Sequence, residues 1–380
     1  MMFSEKLKVL EKDLLLRQIK DREATMMPNI CIDGIDYINF ASNDYLGLAC
    51  AASLTDAAAN AIAKFGFGAG ASRLLSGGTQ IHNALEKAVA AFKETETALV
   101  FNSGYIANIS VLPSIAGEGD VIFSDELNHA SLIDACRLSR AQKAVFRHRD
   151  TDHLSMLMQA TKGVKKIVVT DSIFSMDGDI APLLEITTLC KERGALLYLD
   201  DAHATGVLGN GRGALAHFGI RPEPWIIQMG TFSKALGSYG AFIAAEKGVI
   251  DWLVNTARGF IYSTALPACI AAASLKALQL VQSEPILISR LWQNRDRLIK
   301  GLHALGLNTL CSETPIIPIV MGDVKQTMDI SSALQKHRIY CPAIRPPTVN
   351  QPRLRVTVTA AHSEEDIAAL LGALEALFLS

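Results

Sequence analysis

The chain has 380 residues, 49% hydrophobic and 19% charged, and its 36 basic and 38 acidic side chains give a formal net charge of −2 at pH 7. This balance is typical of a globular protein of two or three domains and excludes a disordered or coiled-coil chain. No basic stripe indicates a nucleic-acid partner, and no apolar run reaches the roughly 18 residues that span a bilayer.

The first 44 residues predict an N-terminal segment made of a helix and a β-hairpin. Four apolar residues have the spacing of an amphipathic helix: Leu7, Leu10, Leu14 and Ile19. Two short strands with a turn between them predict the hairpin: 29–32, 33–34 and 37–40. Because this N-terminus is dense in charged residues, it does not resemble a signal peptide, and we expect a cytoplasmic protein.

Residues 45–280 predict a large α/β domain in which helices alternate with short apolar strands. This alternation predicts a mostly parallel central sheet with helices on both faces. In such sheets, ligands bind beyond the carboxyl ends of the strands. The predicted strands are 98–101, 120–124, 143–146, 166–171, 195–200, 226–230 and 240–244.

Residues 281–380 predict a smaller C-terminal α+β domain. A long helix over 288–306 precedes a strand at 316–321, and after a further helix the pattern predicts a strand at 353–359 and a final helix. The seven cysteines of the whole chain are scattered without a Cys-x-x-Cys pair, which argues against a disulfide framework and a zinc site. We expect no metal.

Polar residues follow two of the predicted strands. Asp200, Asp201 and His203 follow one strand, and Lys234 follows another among small and apolar neighbours. A pair of aspartates after a strand is often only a turn, and a single lysine is usually a solvated surface charge. A poorly hydrated lysine amine can instead form a Schiff base.

Two further features lie after earlier strands. Ser103 and Gly104 mark a turn into a helix, whose N-terminal N–H groups can bind a phosphate, although Ser103 can equally be an ordinary helix cap. His129 lies in a loop, where it can also be an ordinary structural residue. Taken together, an acid for a pyridine nitrogen, a Schiff-base lysine, a phosphate site and a histidine for the ring face predict pyridoxal 5′-phosphate (PLP) as cofactor.

Other functional classes fit the sequence less well. The glycine clusters at 66–70 and 209–213 lack the G-x-G-x-x-G spacing of a dinucleotide-binding oxidoreductase. A non-catalytic PLP-binding regulator would need an appended DNA-binding domain, for which the chain has neither room nor a basic stripe.

Along nearly its whole length the sequence resembles the α-oxoamine synthase family of fold-type I PLP-dependent transferases. The matching motifs occur in the same order: Ser-Asn-Asp-Tyr-Leu-Gly-Leu at 42–48, Asn-His-Ala-Ser at 128–131, Phe-Ser-Met-Asp-Gly-Asp at 174–179, Asp-Asp-Ala-His at 200–203, Thr-Phe-Ser-Lys at 231–234 and Tyr-Ser-Thr at 262–264. The segments at 343–349, 353–355 and 359–362 are most similar to the biotin-synthesis branch of the family. Only the loop at 350–352, which is shorter than the usual pattern, departs from it.

The resemblance implies a role for each matched residue. Catalytic roles fall on Lys234 as the Schiff-base lysine and general base, Asp200 at the ring nitrogen, His129 on the ring face and His203 at the ring oxygen or the substrate carbonyl. Further cofactor contacts fall on Ser103, Gly104, Tyr105, Ser175, Thr231 and Thr264, with Thr264 reaching in from a partner subunit. Contacts with the amino-acid carboxylate fall on Asn43 and Arg355, and contacts at the acyl-chain entrance on Arg17 and Arg345.

The same resemblance implies a reaction and partners. The expected reaction is a decarboxylative condensation of L-alanine with a pimeloyl thioester, carried by coenzyme A or acyl carrier protein, in a homodimer whose site lies at the interface. Sister enzymes that join glycine or another amino acid to an acetyl, succinyl or long-chain acyl thioester share the cofactor residues. Fold and cofactor motifs therefore do not separate these substrates.

Overall fold

A computed structural model describes residues 2–378 as two compact units. The larger unit comprises residues 51–175 and 180–288, and the smaller unit comprises residues 2–50, 176–179 and 289–378. The predicted N-terminal segment and most of the predicted C-terminal domain are thus parts of the same unit. None of the helices among residues 2–378 combines the length and apolar content that crossing a membrane requires.

The described chain contains helices and strands in the following order. The helices are α1 Met2–Lys12, α2 Ala52–Phe65, α3 Gln80–Phe92, α4 Gly104–Ile115, α5 Ala130–Leu138, α6 Thr151–Ala160, α7 Leu183–Arg193, α8 Ala214–His217, α9 Lys247–Thr256, α10 Arg258–Ile261, α11 Ala268–Ser283, α12 Pro285–Ala304, α13 Val324–Lys336 and α14 Glu364–Phe378. The strands are β1 Asn29–Ile32, β2 Ile35–Asn39, β3 Thr97–Phe101, β4 Val121–Asp125, β5 Gln142–Phe146, β6 Lys166–Asp171, β7 Leu196–Asp200, β8 Ile226–Thr231, β9 Ala241–Ala245, β10 Ile316–Val320, β11 Ile339–Tyr340, β12 Ala343–Ile344 and β13 Arg353–Thr357.

A seven-stranded sheet of order β3-β9-β8-β7-β6-β4-β5 organises the larger unit. The pairs from β8 to β5 are parallel, whereas β9 is antiparallel to both of its neighbours. The prediction of a mostly parallel sheet is therefore confirmed, and the seven predicted strands occur within one residue of their observed ends. Apart from the edge strand β5, where Phe146 is buried, the strands are buried almost throughout because apolar side chains pack on both faces of the sheet.

The register of this sheet places polar residues at a common edge. Asp171 at the end of β6 lies opposite Asp200 at the end of β7, and Asp200 lies opposite Met229 of β8. Thr231 ends β8. Because these strands run in parallel, their carboxyl ends meet at one edge, where ligands are expected to bind.

Two three-stranded sheets organise the smaller unit, in the orders β1-β2-β11 and β10-β13-β12. The predicted hairpin is present as β1 and β2, but the amphipathic pattern overestimates the N-terminal helix. This helix ends at Lys12, and Ile19 is 93% exposed. The chain turns out of the helix at Leu14, whose φ of +57° is left-handed, and the N–H of Leu15 then bonds the Leu10 carbonyl, which closes the helix end.

Candidate active site

A cavity of about 220 Å³ lies at the carboxyl ends of β6, β7 and β8 in the larger unit. It brings together eight of the residues that the sequence predicts for the cofactor site: Ser103, Gly104, Tyr105, His129, Asp200, His203, Thr231 and Lys234. Six further residues that line it were not predicted as site residues: Asn108, Ser131, Asp171, Ala202, Met229 and Ser233.

Asp200 is a buried acid at the end of β7. Its carboxylate accepts hydrogen bonds from the Asn108 amide at 2.8 Å and from the backbone N–H of Ala202 at 3.0 Å. Burial raises the pKa of Asp200, while the positive charge of Lys234 and these two donors lower it. The donors therefore favour the charged form that a cationic ring nitrogen requires.

Asp171 is a second buried acid, on the neighbouring strand. Its carboxylate accepts the backbone N–H of His129 at 2.6 Å. Burial and the negative charge of Asp200 raise the pKa of Asp171 well above its ordinary value. A proton on Asp171 would remove the like charge beside Asp200.

His129 is the N-cap residue of α5, and its backbone and side chain are both fixed. Its Nδ1 atom lies 2.7 Å from the Ser131 hydroxyl and accepts the Ser131 backbone N–H at 3.2 Å. Burial lowers the pKa of His129, with Asp200 opposing this effect and Lys234 reinforcing it. The imidazole is thus held in its neutral form, which suits a ring that stacks on a cofactor.

The turn from β3 into α4 has the features of a phosphate site. Ser103 caps α4, its hydroxyl accepting the N–H of Ile106 at 3.3 Å, and the first N–H groups of a helix have no partner within it. At Gly104, a Cβ atom would lie only 2.8 Å from Cγ2 of Thr231. A glycine is therefore needed here, because the side chain of Thr231 occupies the space that a Cβ atom would fill.

Lys234 and His203 complete the cavity wall. Lys234 follows β8 and is half-buried, and His203 is buried in the loop after β7. An amine, a buried carboxylate, a neutral imidazole and a helix N-terminus are thus arranged around one cavity. This donor set fits PLP, since Asp200 suits its ring nitrogen, Lys234 its aldehyde and the α4 turn its phosphate.

Two predicted cofactor residues do not line this cavity. Ser175 lies near the end of the first segment of the larger unit, outside the lining. Thr264 lines a separate small cavity with Arg73, His82 and Asn102, and its carbonyl accepts the Asn102 amide at 2.9 Å.

The four predicted substrate residues belong to the smaller unit and form two groups. In the first group, the buried Arg355 guanidinium donates to Oδ1 of Asn43 at 3.1 Å, and the Tyr45 hydroxyl donates to the same oxygen at 3.3 Å. Burial raises the pKa of Tyr45 to about 12, although the Arg355 charge opposes the rise. The hydroxyl therefore remains a donor at neutral pH.

In the second group, both arginines bind backbone carbonyl groups. Arg17 lies 3.4 Å from the Pro346 carbonyl and from the Thr348 hydroxyl, and Arg345 donates to the Leu16 carbonyl at 2.8 Å. Desolvation and the charge of Arg17 lower the pKa of Arg345. Two like charges close together favour an anion beside them.

Comparisons with known proteins agree with this donor set. A family model for aminotransferase class I and II matches residues 35–374. A relative from Thermodesulfovibrio yellowstonii is 51% identical over 99% of this chain and 97% of its own. Relatives named 8-amino-7-oxononanoate synthase, from Geobacter metallireducens and Geotalea daltonii, are 45% and 46% identical over 99% and 96% of this chain and 97% and 94% of theirs.

The chain belongs to the aminotransferase class I and II family, among its 8-amino-7-oxononanoate synthases. Solved structures agree with this placement. A PLP-containing serine palmitoyltransferase from S. paucimobilis aligns with a TM-score of 0.93 at 29% identity, over 99% of this chain and 96% of that one. The 8-amino-7-oxononanoate synthase of Francisella tularensis aligns with a TM-score of 0.78 at 29% identity, over 90% and 98%. The predicted fold-type I architecture is confirmed.

Proposed function

We propose that this chain is a PLP-dependent acyltransferase that joins L-alanine to a pimeloyl thioester, releasing CO2 and the carrier thiol and forming 8-amino-7-oxononanoate for biotin synthesis. The observation that carries the proposal is the meeting of Asp200, His129, Lys234 and the α4 turn at one cavity. The names of the relatives support the choice of substrates.

PLP supplies an aldehyde that condenses with amines and a ring that accepts the electrons of a substrate carbanion. We assign to Asp200 the task of holding negative charge at the ring nitrogen, helped by the Asn108 and Ala202 donors. His129 would lie against the ring as a neutral imidazole. The N-terminus of α4, Ser103 and Thr231 would hold the phosphate.

Lys234 would act in two ways. Its amine would hold the cofactor aldehyde, and when not so engaged the same amine would act as the general base that takes the proton from Cα of alanine. His203, in the cavity wall, is suited to donate a hydrogen bond to the acyl carbonyl oxygen as the new carbon–carbon bond forms. The carrier thiol leaves as this bond forms, and loss of the carboxylate as CO2 and return of a proton to Cα would complete the reaction.

Arg355 is the proposed ligand of the alanine carboxylate, because a guanidinium binds a carboxylate through two parallel hydrogen bonds. Asn43 and Tyr45 restrict its position. Arg17 and Arg345 are proposed to bind an anionic part of the acyl substrate.

We also propose a homodimer in which Thr264 of one subunit contributes to the phosphate site of the other. Thr264 lies in a cavity distinct from that of Lys234 within one chain, which supports this assignment. Mixed dimers of Lys234→Ala and Thr264→Ala chains contain one site with both residues intact. Mixing should therefore restore activity, whereas no gain over the separate variants would contradict the exchange.

A substrate panel tests the reaction most directly. Alanine, glycine and serine are each paired with pimeloyl, acetyl, succinyl and palmitoyl thioesters, with the pimeloyl group on both coenzyme A and acyl carrier protein. We expect alanine with a pimeloyl thioester to give the highest kcat/KM. A faster reaction of glycine with a short acyl donor, or of serine with palmitoyl thioester, would overturn the substrate assignment.

Serine with palmitoyl thioester is included for a specific reason. The serine palmitoyltransferase structure superposes more closely than the Francisella enzyme, although sequence identity to the 8-amino-7-oxononanoate synthases reaches 46%. Backbone similarity reports the shared fold rather than the substrate pocket.

The cofactor lysine has its own test. Borohydride reduction of the PLP-loaded protein should fix the cofactor on the peptide that contains Lys234, as mass spectrometry can detect. Labelling of another lysine would reject the assignment.

A further inference from the structure

Asn108 is a fully buried polar residue inside α4, among mainly apolar neighbours on that helix. Its amide nitrogen donates two hydrogen bonds, one to Oδ2 of Asp200 at 2.8 Å and one to Oγ of Ser131 at 2.9 Å. Its amide oxygen accepts the hydroxyl of Tyr198 at 2.8 Å. Both N–H groups of the Asn108 side chain therefore bind residues of the cavity wall.

The orientation of the Asn108 amide follows from its partners. An ionised carboxylate only accepts hydrogen bonds, so the NH2 group must face Asp200 and the oxygen must face Tyr198. Tyr198 is fully buried and lies two residues before Asp200 on β7. The strand that carries the acid thus also carries the hydroxyl group that fixes the amide against it.

The same amide determines how Ser131 meets His129. Because Oγ of Ser131 accepts from Asn108, its own proton is available for Nδ1 of His129, 2.7 Å away. The Ser131 backbone N–H, which can only donate, also points at Nδ1. Nδ1 is consequently the acceptor, and the proton of the neutral ring lies on Nε2.

We propose that Asn108 is a positioning residue that joins Asp200 and His129 in one hydrogen-bond network, so that the acid keeps its negative charge and the histidine keeps its proton on Nε2. The proposal rests on the proposed function for the assignment of Asp200 and His129 to the PLP ring. The network itself is a property of the chain and can be tested without turnover.

Removal of the amide should change the ionisation of Asp200. Burial raises the pKa of this acid, and the Asn108 donor is one of the groups that lower it. The other charged or titratable groups that act on it are Lys234 and His129, with Asp171 on the adjacent strand and the Tyr198 hydroxyl on its own strand. In Asn108→Ala, Asp200 keeps the Ala202 donor but takes up a proton at a higher pH.

The main experiment measures PLP affinity as a function of pH by absorbance titration. For Asn108→Ala we expect affinity at neutral pH to fall about tenfold or more, because a hydrogen bond to a buried charge is lost. The acid limb of the profile should move to higher pH. Tyr198→Phe keeps the Asn108 amide but removes the hydroxyl that fixes its orientation. We therefore expect a smaller shift of the acid limb in the same direction.

Asn294→Ala is the matched control. Asn294 is a buried asparagine of the smaller unit that also donates two hydrogen bonds, to the carbonyl groups of Thr359 and His362 at 3.0 and 2.8 Å. Its removal should lower the Tm by a similar amount without moving the acid limb. If Asn108→Ala and Tyr198→Phe also lower only the Tm, the role of Asn108 is structural and the proposal is wrong.

A second readout uses the cofactor-free protein with ¹⁵N-labelled histidine. The His129 signals should show an unprotonated Nδ1 and a protonated Nε2, with assignment from a His129→Asn sample. A proton found on Nδ1 would reverse the network and overturn the proposal. Neither readout depends on the substrate panel, so a failed substrate assignment would leave both results interpretable.

Discussion

Two neighbouring acids at the end of β7 have different surroundings. Asp201 is paired with Lys93 at 2.6 Å, and both side chains are at most 1% exposed. It also accepts the backbone N–H of Ala214 at 3.1 Å, which holds the far end of the loop that contains His203. Asp200, one residue earlier, faces the cavity and receives the neutral donors Asn108 and Ala202.

The difference shows how one strand end can serve stability and chemistry at once. The charge of Asp201 is balanced by the buried Lys93, and its carboxylate stabilises the loop between β7 and Ala214. The charge of Asp200 is stabilised by the neutral Asn108 and Ala202 donors and by the charge of Lys234 in the same cavity wall, so its carboxylate stays at the cavity, where a cationic ring can pair with it. Four predictions test this comparison, in order of decreasing effect.

Lys93→Met should destabilise the fold by about 3–5 kcal/mol, because it leaves the Asp201 carboxylate buried without its cation. Urea unfolding gives this free energy. Lys247→Met is the control, since its pair with Asp251 is exposed and should contribute little. Equal stabilities for the two variants would show that the buried pair does not fasten the loop.

Asp200→Asn should retain some PLP but lower kcat by a factor of roughly 100–1,000, or about 3–4 kcal/mol of transition-state stabilisation, because a neutral residue cannot hold charge at the ring nitrogen. Steady-state kinetics and thermal unfolding are measured together. The Tm should stay near the wild-type value, in contrast to that of Asp201→Asn. Near-normal turnover would refute the assignment.

His362 extends the comparison to a buried ionisable group of the smaller unit. Its Nδ1 accepts the Thr359 N–H at 3.0 Å, and burial lowers its pKa from 6.5 to about 4. Between these values the unfolded chain binds the proton and the folded chain does not. Stability therefore falls as the pH drops from 6.5 towards 4, by at most about 3–4 kcal/mol. Urea unfolding at several pH values should show a shallower dependence for His362→Asn, and identical slopes would contradict the prediction.

Gly104→Ala tests the close contact between Gly104 and Thr231 in the proposed phosphate site, on the cavity side of Asp200. The new Cβ would crowd Cγ2 of Thr231, so we expect a cost of about 1–3 kcal/mol and weaker PLP binding. Adding Thr231→Ser removes that methyl group but keeps the hydroxyl. The double variant should therefore recover most of the PLP affinity in an absorbance titration. If it does not, crowding of the Thr231 methyl group is not the cause of the weaker binding.

Local patterns in the sequence predict much of the larger unit. Short apolar runs predict β3 to β9 within a residue. The signal is clearest in the buried strands such as β4 and β9, because a strand buried on both faces is mostly apolar. The polar residues after those runs predict Asp200 and Lys234, because the fold directs the ends of parallel strands to one edge. The motif resemblance identifies the family.

The remaining features depend on contacts between distant parts of the chain. The Asn108–Asp200 and Lys93–Asp201 pairs join residues 92 and 108 positions apart, and neither has a local signal beyond a polar residue in an apolar helix or at its end. The early end of α1 depends on the backbone at Leu14 rather than on apolar spacing. Sequence by itself therefore determined the strands, the cofactor chemistry and the family. Only the tertiary structure decided that Asp201 pairs with the buried Lys93 and that Asp200 faces the cavity. The reason is that packing sets the burial and the partners of each side chain.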